Sequence, residues 1–255
     1  MGTSNIYRGP GGSKKLLPEW IDESTLTEKE KDEIVKEWKN VKTNCTKLLN
    51  SKNKENFNKQ NFKIIFPHYF GAHGGAKNFV KSSKSFKMSF DILYPLLQSI
   101  NKNGVQQTFK KLSDEFENKN IEQILVFFSN KYCPNGNDKE EVVARLAVNK
   151  TLELLIEEIK NHPSIDFLDE FVLNFILITF VSEYILGRIL TEIGSSYEKS
   201  DADIKEVEDF EKLIREHIKD CVNSELKEIN FLKMNPKEIN IDTILEKCVS
   251  RLGGA

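Results

Sequence analysis

Apolar residues recur every three or four positions along most of this chain, which is the spacing of one face of an α-helix. The first run follows Thr27-Glu28-Lys29-Glu30, where Thr27 can accept hydrogen bonds from first-turn amides and Glu30 can reach back to the start. Its apolar members are Ile34, Trp38, Val41, Cys45 and Leu48. The sequence therefore predicts a helix that begins after Thr27 with a capping box.

From about Phe86 almost to the end, the same spacing continues, broken only by short stretches rich in Gly, Pro and Asn. Glu140 and Glu141 open one helix with acids, where the helix dipole favours them. No run of alternating β-branched residues is long enough to form a sheet. The predicted fold class is mainly α, a helical bundle. Its helices are expected over residues 86–101, 104–117, 120–131, 139–161, 165–193, 201–230 and 241–251.

The 165–193 segment is apolar nearly all the way round, as a helix is when other helices surround it. Its longest uncharged stretch, 171–182, is closed by Glu170 and Glu183. Spanning a bilayer takes about 20 apolar residues, which is more than this stretch provides. We therefore predict that the segment is the long central hydrophobic helix of the bundle and not a membrane span.

The beginning of the chain has a different character. Residues 1–18 are dense in Gly and Pro, which disfavour helix and strand alike, so they predict an extended, flexible tail. At its base, Leu16, Leu17 and Trp20 form an apolar cluster that can anchor the tail on the folded body. The predicted organisation is a tail with this anchoring segment over 1–24, a helix plus a basic, Gly-containing region over 25–85, and an all-helical core domain over 86–255.

The overall charge excludes few functions. With 37 Lys and Arg against 39 Asp and Glu, the net charge of −2 gives no global case for binding nucleic acid or an anionic membrane. Four cysteines lie far apart without a CxxC pair, which is typical of a cytosolic protein with reduced thiols. The first 20 residues lack the apolar core of a secretory signal. We therefore expect a cytoplasmic protein that does not associate with a membrane.

The local charge is less even, because residues 47–87 contain nine Lys and a single acid, Glu55. Interleaved with the lysines are Phe57, Phe62, Phe66, Phe70 and Phe79. Lys can neutralise phosphates and Phe can stack on bases, which would make the region a nucleic-acid surface. Alternatively, the Phe residues are core anchors and the Lys residues their solvated face. The lack of Arg, the residue that makes bidentate base contacts, favours this second interpretation.

The sequence offers few candidates for an active site. His68 and His73 lie five residues apart without the further ligands that a zinc site needs. The segment 71–77 is Gly-rich like a phosphate loop, but it lacks the Gly-Lys-Ser/Thr ending and a preceding strand. What remains is a candidate anion contact at a helix N-terminus, made by His73, Gly74, Gly75 and Lys77. We predict no catalytic residue, no metal ligand and no cofactor.

The N-terminus carries one definite chemical feature. Gly2 is small, so Met1 is expected to be removed, which exposes an unhindered glycine α-amine. With a pKa near 8, this amine is a better nucleophile at neutral pH than Lys, whose pKa is about 10.4. N-myristoylation would also use Gly2, but that signature requires Ser or Thr where this chain has Ile6. The other interpretation is that Met1-Gly2-Thr3-Ser4 is simply an unstructured start.

The N-terminal block consists of Gly2-Thr3-Ser4, Gly9-Pro10-Gly11-Gly12 and Leu16-Leu17-Pro18-x-Trp20. Farther along come a Gly-Gly-Ala-Lys element within 66–79, Cys133-Pro134-Asn135-Gly136, and Tyr184-x-x-x-Arg188 on the long hydrophobic helix. Together these motifs resemble the QatB family of bacterial Qat antiphage defence systems, over most of the chain. The N-terminal block is the specific part of the resemblance. The chain departs from the family in being rich in Lys and Asn where many relatives have Arg and Ala.

The resemblance implies a protein encoded beside an ATPase, a QueC-like enzyme and a TatD-like nuclease. QueC-type enzymes activate a 7-deazaguanine carboxylate with ATP and let an amine attack it. The resemblance further implies that the QueC-like (QatC-type) partner binds the tail and joins the deazaguanine moiety to the α-amine of Gly2. The tail residues that would contact this partner are Thr3, Ser4, Gly9, Pro10, Gly11, Gly12, Leu16, Leu17 and Trp20.

Three functions therefore stay open. The first is a non-enzymatic substrate and adaptor in an antiphage complex, with Gly2 as the modified residue. The second is a helical nucleic-acid-binding adaptor that uses residues 47–87 to recruit DNA to the TatD-like nuclease. The third is an enzyme or toxin with an unrecognised site. Phosphate-driven binding falls steeply with salt, whereas recognition of the tail should not, which distinguishes the second function from the first.

Overall fold

A computed structural model describes residues 24, 26–50, 62–112, 123, 126, 130, 138–161, 168–194, 200–235 and 239–254. These residues form nine α-helices and no strand, which confirms the prediction of a mainly α fold. The helices are α1 (Glu28–Leu49), α2 (Ile65–Ala72), α3 (Ala76–Lys81), α4 (Lys84–Asn103), α5 (Val105–Leu112), α6 (Lys139–Asn161), α7 (Glu170–Ile193), α8 (Ile204–Leu226) and α9 (Ile241–Leu252).

Most helices predicted from the spacing are present, with ends that shift by a few residues. The helix expected over 139–161 has those bounds in α6, and the one expected over 241–251 extends by one residue in α9. The capping box of α1 is confirmed, because Thr27 Oγ1 accepts from the Glu30 amide at 3.4 Å and Glu30 Oε2 accepts from the Thr27 amide at 2.8 Å. Most of the predicted 120–131 helix lies outside the described residues.

Two short helices, α2 and α3, were not expected from the sequence. Pro67 lies in the first turn of α2, where an amide has no partner within the helix, so the proline does not interrupt it. Gly74 and Gly75 separate α2 from α3 with positive φ angles of 76° and 96°, a conformation that glycine adopts without strain. The glycines that suggested a loop therefore form only a tight break between two helices.

One compact unit of the chain consists of Met1–Ser82, Ile193–Leu213 and Val249–Ala255. In it, α1 packs on α2, and the buried faces of these helices include Trp38, Val41, Phe66 and Tyr69. The three stretches meet at specific contacts. Asn50 Oδ1 accepts a hydrogen bond from the Asp201 amide at 2.9 Å, and a Cβ at Gly253 would lie 3.6 Å from Phe70 Cδ2. Residues from both ends of the chain therefore build this unit.

The other compact unit consists of Ser83–Glu192 and Ile214–Cys248. Helix α4 packs on α5 and α6, and the Phe86 ring stacks on Phe180 of α7 with 5.1 Å between the ring centroids. A turn at residues 229–234 is held from two sides. The Tyr94 hydroxyl lies 2.8 Å from the Phe231 carbonyl oxygen, and Asn174 Oδ1 accepts from the Phe231 amide at 3.0 Å. Aromatic packing and hydrogen bonds between residues distant in sequence thus help to hold this unit together.

The central-helix prediction is correct for most of α7 and wrong at its start. Ile185 and Ile189 are fully buried, as expected of a helix that others surround. Phe171 and Phe175, however, are 79% and 49% exposed, so the first two turns leave an apolar edge in solvent. By length and composition α7 could cross a membrane, but 72% of its most apolar window is buried inside the fold. That burial favours a core helix.

Gly187→Ala is expected to lower the free energy of unfolding by about 1–2 kcal/mol, because α6 approaches α7 closely at this glycine. A Cβ at Gly187 would lie 2.8 Å from Val143 Cγ1, and a valine side chain has little rotamer freedom with which to move away. Urea unfolding measures the change. Gly194→Ala is the matched control, since a Cβ there meets nothing within 4 Å. Equal stabilities of the two variants would contradict the close approach.

Candidate functional site

The predicted modification residue, Gly2, and the predicted partner-binding tail lie outside the described residues. The tail residues concerned are Thr3, Ser4, Gly9, Pro10, Gly11, Gly12, Leu16, Leu17 and Trp20. The described body begins at Ser24, and α1 starts four residues later, directly after Thr27. Hydrogen bonds from Thr27 lower the pKa of the Glu30 carboxyl. They therefore favour the charged carboxylate, which is the form that accepts hydrogen bonds in a capping box. The chain that follows the tail therefore enters a helix with a defined start.

The candidate anion contact falls at the break between α2 and α3. His73 is 4% exposed, and its ring packs edge-on against Tyr69 and Phe79, with centroid distances of 4.9 and 5.0 Å. Gly75 precedes a helix of only six residues, and Lys77 is exposed on that helix. These positions favour a packing role for the His73 ring. The anion contact itself stays a prediction.

His68 and His73, considered together as metal ligands in the sequence, have different surroundings. The His68 ring forms a short hydrogen bond between its Nδ1 and the carboxylate of Glu37 on α1, and both side chains are about 30% exposed. Gly71, one turn later, lets α2 lie against the same Glu37 side chain. The pair thus joins α1 to α2. Among the described residues, no group of three or more His, Cys, Asp and Glu side chains is arranged to hold a metal ion.

The structure contradicts the idea that phenylalanines of the basic region stack on bases. The four of these side chains that the structure describes are each at most 4% exposed, namely Phe62, Phe66, Phe70 and Phe79. They pack on one another and on neighbouring rings, as in the perpendicular contact of Phe70 with Phe79 at 5.4 Å. Base stacking requires an accessible ring face, which these residues lack. They are core residues, and the exposed lysines around them are a solvated surface.

The most elaborate polar arrangement that the structure describes centres on Glu140, in the first turn of α6. Its two carboxylate oxygens accept from the amides of Ser85 at 3.0 Å and Phe86 at 3.2 Å, both in the first turn of α4. Ser83, the residue at the N-cap of α4, makes no capping hydrogen bond with its own side chain. A carboxylate more than 50 residues away in sequence therefore caps α4.

A buried tyrosine and arginine on α7 extend this arrangement. The Tyr184 hydroxyl donates to Glu140 Oε1 at 2.7 Å and accepts from Arg188 Nη1 at 3.1 Å. Arg188 Nε also donates to Glu192 Oε1 at 2.7 Å, and both side chains of this ion pair are at most 6% exposed. Burial raises the pKa of Tyr184 far above its usual range, so the phenol keeps its proton and remains a donor.

Sequence reasoning identified the parts of this network without joining them. Glu140 was expected to serve the dipole of its own helix, whereas the structure directs its carboxylate to the start of α4. Tyr184 and Arg188 were noted in the sequence only as part of the motif that resembles the family. The missed signal was a charged pair, Arg188 and Glu192, on a stretch of helix that is otherwise apolar. A charge in such a position is rarely retained unless it is paired.

The described cysteines fall into two classes. Burial raises the pKa of both the Cys45 and the Cys248 thiol to about 12, so neither ionises readily at neutral pH. Cys221 is half-buried on α8, and its sulfur lies 3.7 Å from His217 Nε2, one turn earlier. None of these three thiols forms a disulfide among the described residues. Cys133 lies outside the described residues.

Comparison with known proteins gives one family. A family model described as "Qat anti-phage system associated protein QatB" matches residues 74–251, which is more than two thirds of the chain. The matched region extends from the break before α3 almost to the end of α9 and includes the Glu140 network. No curated protein and no solved structure is significantly similar to this chain.

Proposed function

Since this chain belongs to the QatB family of the Qat anti-phage system, we propose that it acts through its N-terminal glycine. Membership of this family makes it a component of an anti-phage defence system. A QueC-like partner binds the tail and conjugates a 7-deazaguanine moiety to Gly2 once Met1 has been removed. The protein is a cytoplasmic substrate and adaptor and not an enzyme. The Qat ATPase and the TatD-like nuclease are its further partners.

The observation that carries this proposal is the N-terminal block from Gly2 to Trp20, in which a small second residue is followed by a Gly-rich arm and an apolar base. The α-amine of Gly2 has a pKa near 8, so about a tenth of it is unprotonated at pH 7, whereas fewer than about one in a thousand lysine amines are. For an enzyme that conjugates a carboxylate to an unprotonated amine, this terminus is therefore a better substrate than a lysine side chain.

The chemistry balances without a further reactant. The partner joins the deazaguanine carboxylate to AMP from ATP and releases pyrophosphate. The Gly2 nitrogen then attacks the activated carboxyl carbon, an amide bond forms, AMP leaves and the amine loses a proton. The Gly2 amine takes the place that ammonia has in QueC-type chemistry. Gly9, Gly11 and Gly12 allow the arm to enter a deep pocket, because glycine imposes the fewest backbone restrictions.

The proposal is tested by the intact mass of the protein co-produced with its QueC-like neighbour. We expect the mass of the Met1-free chain plus one fixed adduct, which fragmentation assigns to residue 2. The same chain produced alone, or beside a partner unable to bind ATP, is the control and should lack the adduct. An unmodified terminus next to a demonstrably active partner would contradict the proposal.

The competing proposal, a nucleic-acid adaptor, loses part of its basis in the structure. The four phenylalanines of the basic region that the structure describes lie in the core and are not available to stack on bases. One of its lysines, Lys87, forms an ion pair with Asp242 at 2.8 Å. What remains is the exposed charge of residues such as Lys77 and Lys81. Binding through phosphates alone would be sequence-independent and would weaken steeply as salt rises.

A further inference from the structure

The arrangement around Glu140 has the composition of a carboxylate-binding site. Two backbone amides, those of Ser85 and Phe86, and the Tyr184 hydroxyl all donate to its oxygens, at distances of 2.7 to 3.2 Å. Helix N-terminal amides favour an anion because they carry partial positive charge. The Tyr184 hydroxyl, on a fully buried side chain, points at the same carboxylate, and Arg188 contacts that hydroxyl from behind.

All these donors belong to α4 and α7, whereas the carboxylate comes from α6. The donors are held in place without Glu140, because the Phe86 ring stacks on Phe180 and lies 4.6 Å from the Tyr184 ring, centroid to centroid. Arg188 is likewise held by its ion pair with Glu192. These donors therefore form a cradle, and Glu140 is its occupant.

We propose that the cradle of Ser85, Phe86, Tyr184 and Arg188 is a carboxylate site, and that Glu140 is a latch that fastens the first turn of α6 by occupying it. A free carboxylate can replace the side chain of Glu140, since three donors and a nearby buried cation recognise the group and not the helix that carries it. Glu140 is partly exposed, so in its absence a small anion from solvent is expected to reach the cradle.

The test is chemical rescue of Glu140→Ala, the variant that empties the cradle. Loss of the cap and of the Tyr184 partner should lower the midpoint of thermal unfolding by about 5–10 °C. Sodium formate should then raise the midpoint in a saturable manner and restore at least half of the loss. Sodium chloride at equal ionic strength should not, once the response of the unaltered protein to each salt is subtracted.

Two further variants separate the cradle from general salt effects. Glu153→Ala removes an exposed carboxylate of the same helix, which pairs with Lys150 at the surface, and should show no specific response to formate. Glu140→Ala with Tyr184→Phe removes a donor from the cradle, and formate rescue should become several-fold weaker. If formate and chloride act equally on Glu140→Ala, or if the double variant is rescued as well as the single one, the proposal is wrong.

A failure of Glu140→Ala to fold in chloride gives the same information in another form. The variant is then refolded from urea in formate and in chloride, and helical circular dichroism measures the recovered fraction. Recovery in formate alone supports the carboxylate site. Failure in both salts contradicts it, because an external carboxylate would not have replaced the latch.

Discussion

Replacement of Gly2 by phenylalanine is expected to abolish phage defence by the complete Qat system, to the level of cells that lack this chain altogether. A bulky second residue blocks removal of Met1, so the amine that the proposed chemistry needs is attached to a different residue and crowded by a large side chain. Plating efficiency of a susceptible phage measures the loss. The expected effect is large because, under the proposed function, the Gly2 nitrogen forms the amide bond to the deazaguanine moiety. The rest of the chain serves to present that nitrogen.

The control for this experiment is Gly2→Ala, which keeps a small second residue and hence a trimmed terminus. It should retain a measurable fraction of both the adduct and the defence. Gly2 lies in the Gly- and Pro-rich segment that the sequence predicts to be a flexible tail, so neither substitution is expected to change the thermal unfolding of the purified chain. Full defence by Gly2→Phe, with the variant present at normal levels, would rule out a role for the glycine amine.

Arg188→Ala is expected to lower the free energy of unfolding by about 3–5 kcal/mol, the largest stability effect that we anticipate from a single polar substitution. The buried Glu192 carboxylate would lose the Arg188 cation, and the Tyr184 hydroxyl would lose a donor. Ion pairs in solvent are worth far less, so the same change at an exposed arginine should be mild. Urea unfolding at neutral pH measures the difference.

Two comparisons isolate the cause of this loss. Arg215→Ala removes an arginine that is 42% exposed and paired with Glu183, and it should cost no more than about 1 kcal/mol. Arg188→Met combined with Glu192→Leu removes both buried charges while filling the space, and it should recover most of the stability. If the double variant is as unstable as Arg188→Ala, the loss comes from packing and not from an uncompensated charge.

The parts of the fold that local physics determines were predictable from the sequence. The bounds of α6 were correct because Asp138 caps the helix, accepting from the Glu141 amide at 2.8 Å, and the apolar spacing continues for the whole length. The capping box at Thr27 set the start of α1 in the same way. Such signals involve residues within four positions of each other, so they survive whatever the rest of the chain does.

Features that depend on distant residues could not be predicted in this way. Glu140 and Tyr184 are 44 residues apart, and no spacing rule relates a carboxylate on one helix to an amide at the start of another. The exposure of Phe171 and Phe175 could not be predicted for a similar reason. Apolar residues on all sides of α7 indicate a buried helix, but they do not show which of its turns other helices cover. Helices α2 and α3 escaped prediction because each spans at most eight residues, which is too short for apolar spacing to predict a helix.

The candidate site divides along the same line. Gly2 and the tail were identified from the chemistry of the amine and from the resemblance of the N-terminal block, and they lie before both the described residues and the matched region, which starts at residue 74. The defence role follows from the family match. The choice of the glycine amine remains a hypothesis that the mass of the terminus decides.

The unit that begins with α1 has a consequence for how the protein is made. Phe70 of α2 lies against Gly253, so its surroundings are complete only when translation has passed residue 253. While the nascent chain is still on the ribosome, part of the apolar surface of α1 and α2 is exposed to solvent. Exposed apolar surface of this kind is bound by chaperones and promotes aggregation. A stop codon just before Val249 would therefore damage the part of this unit that was synthesised first.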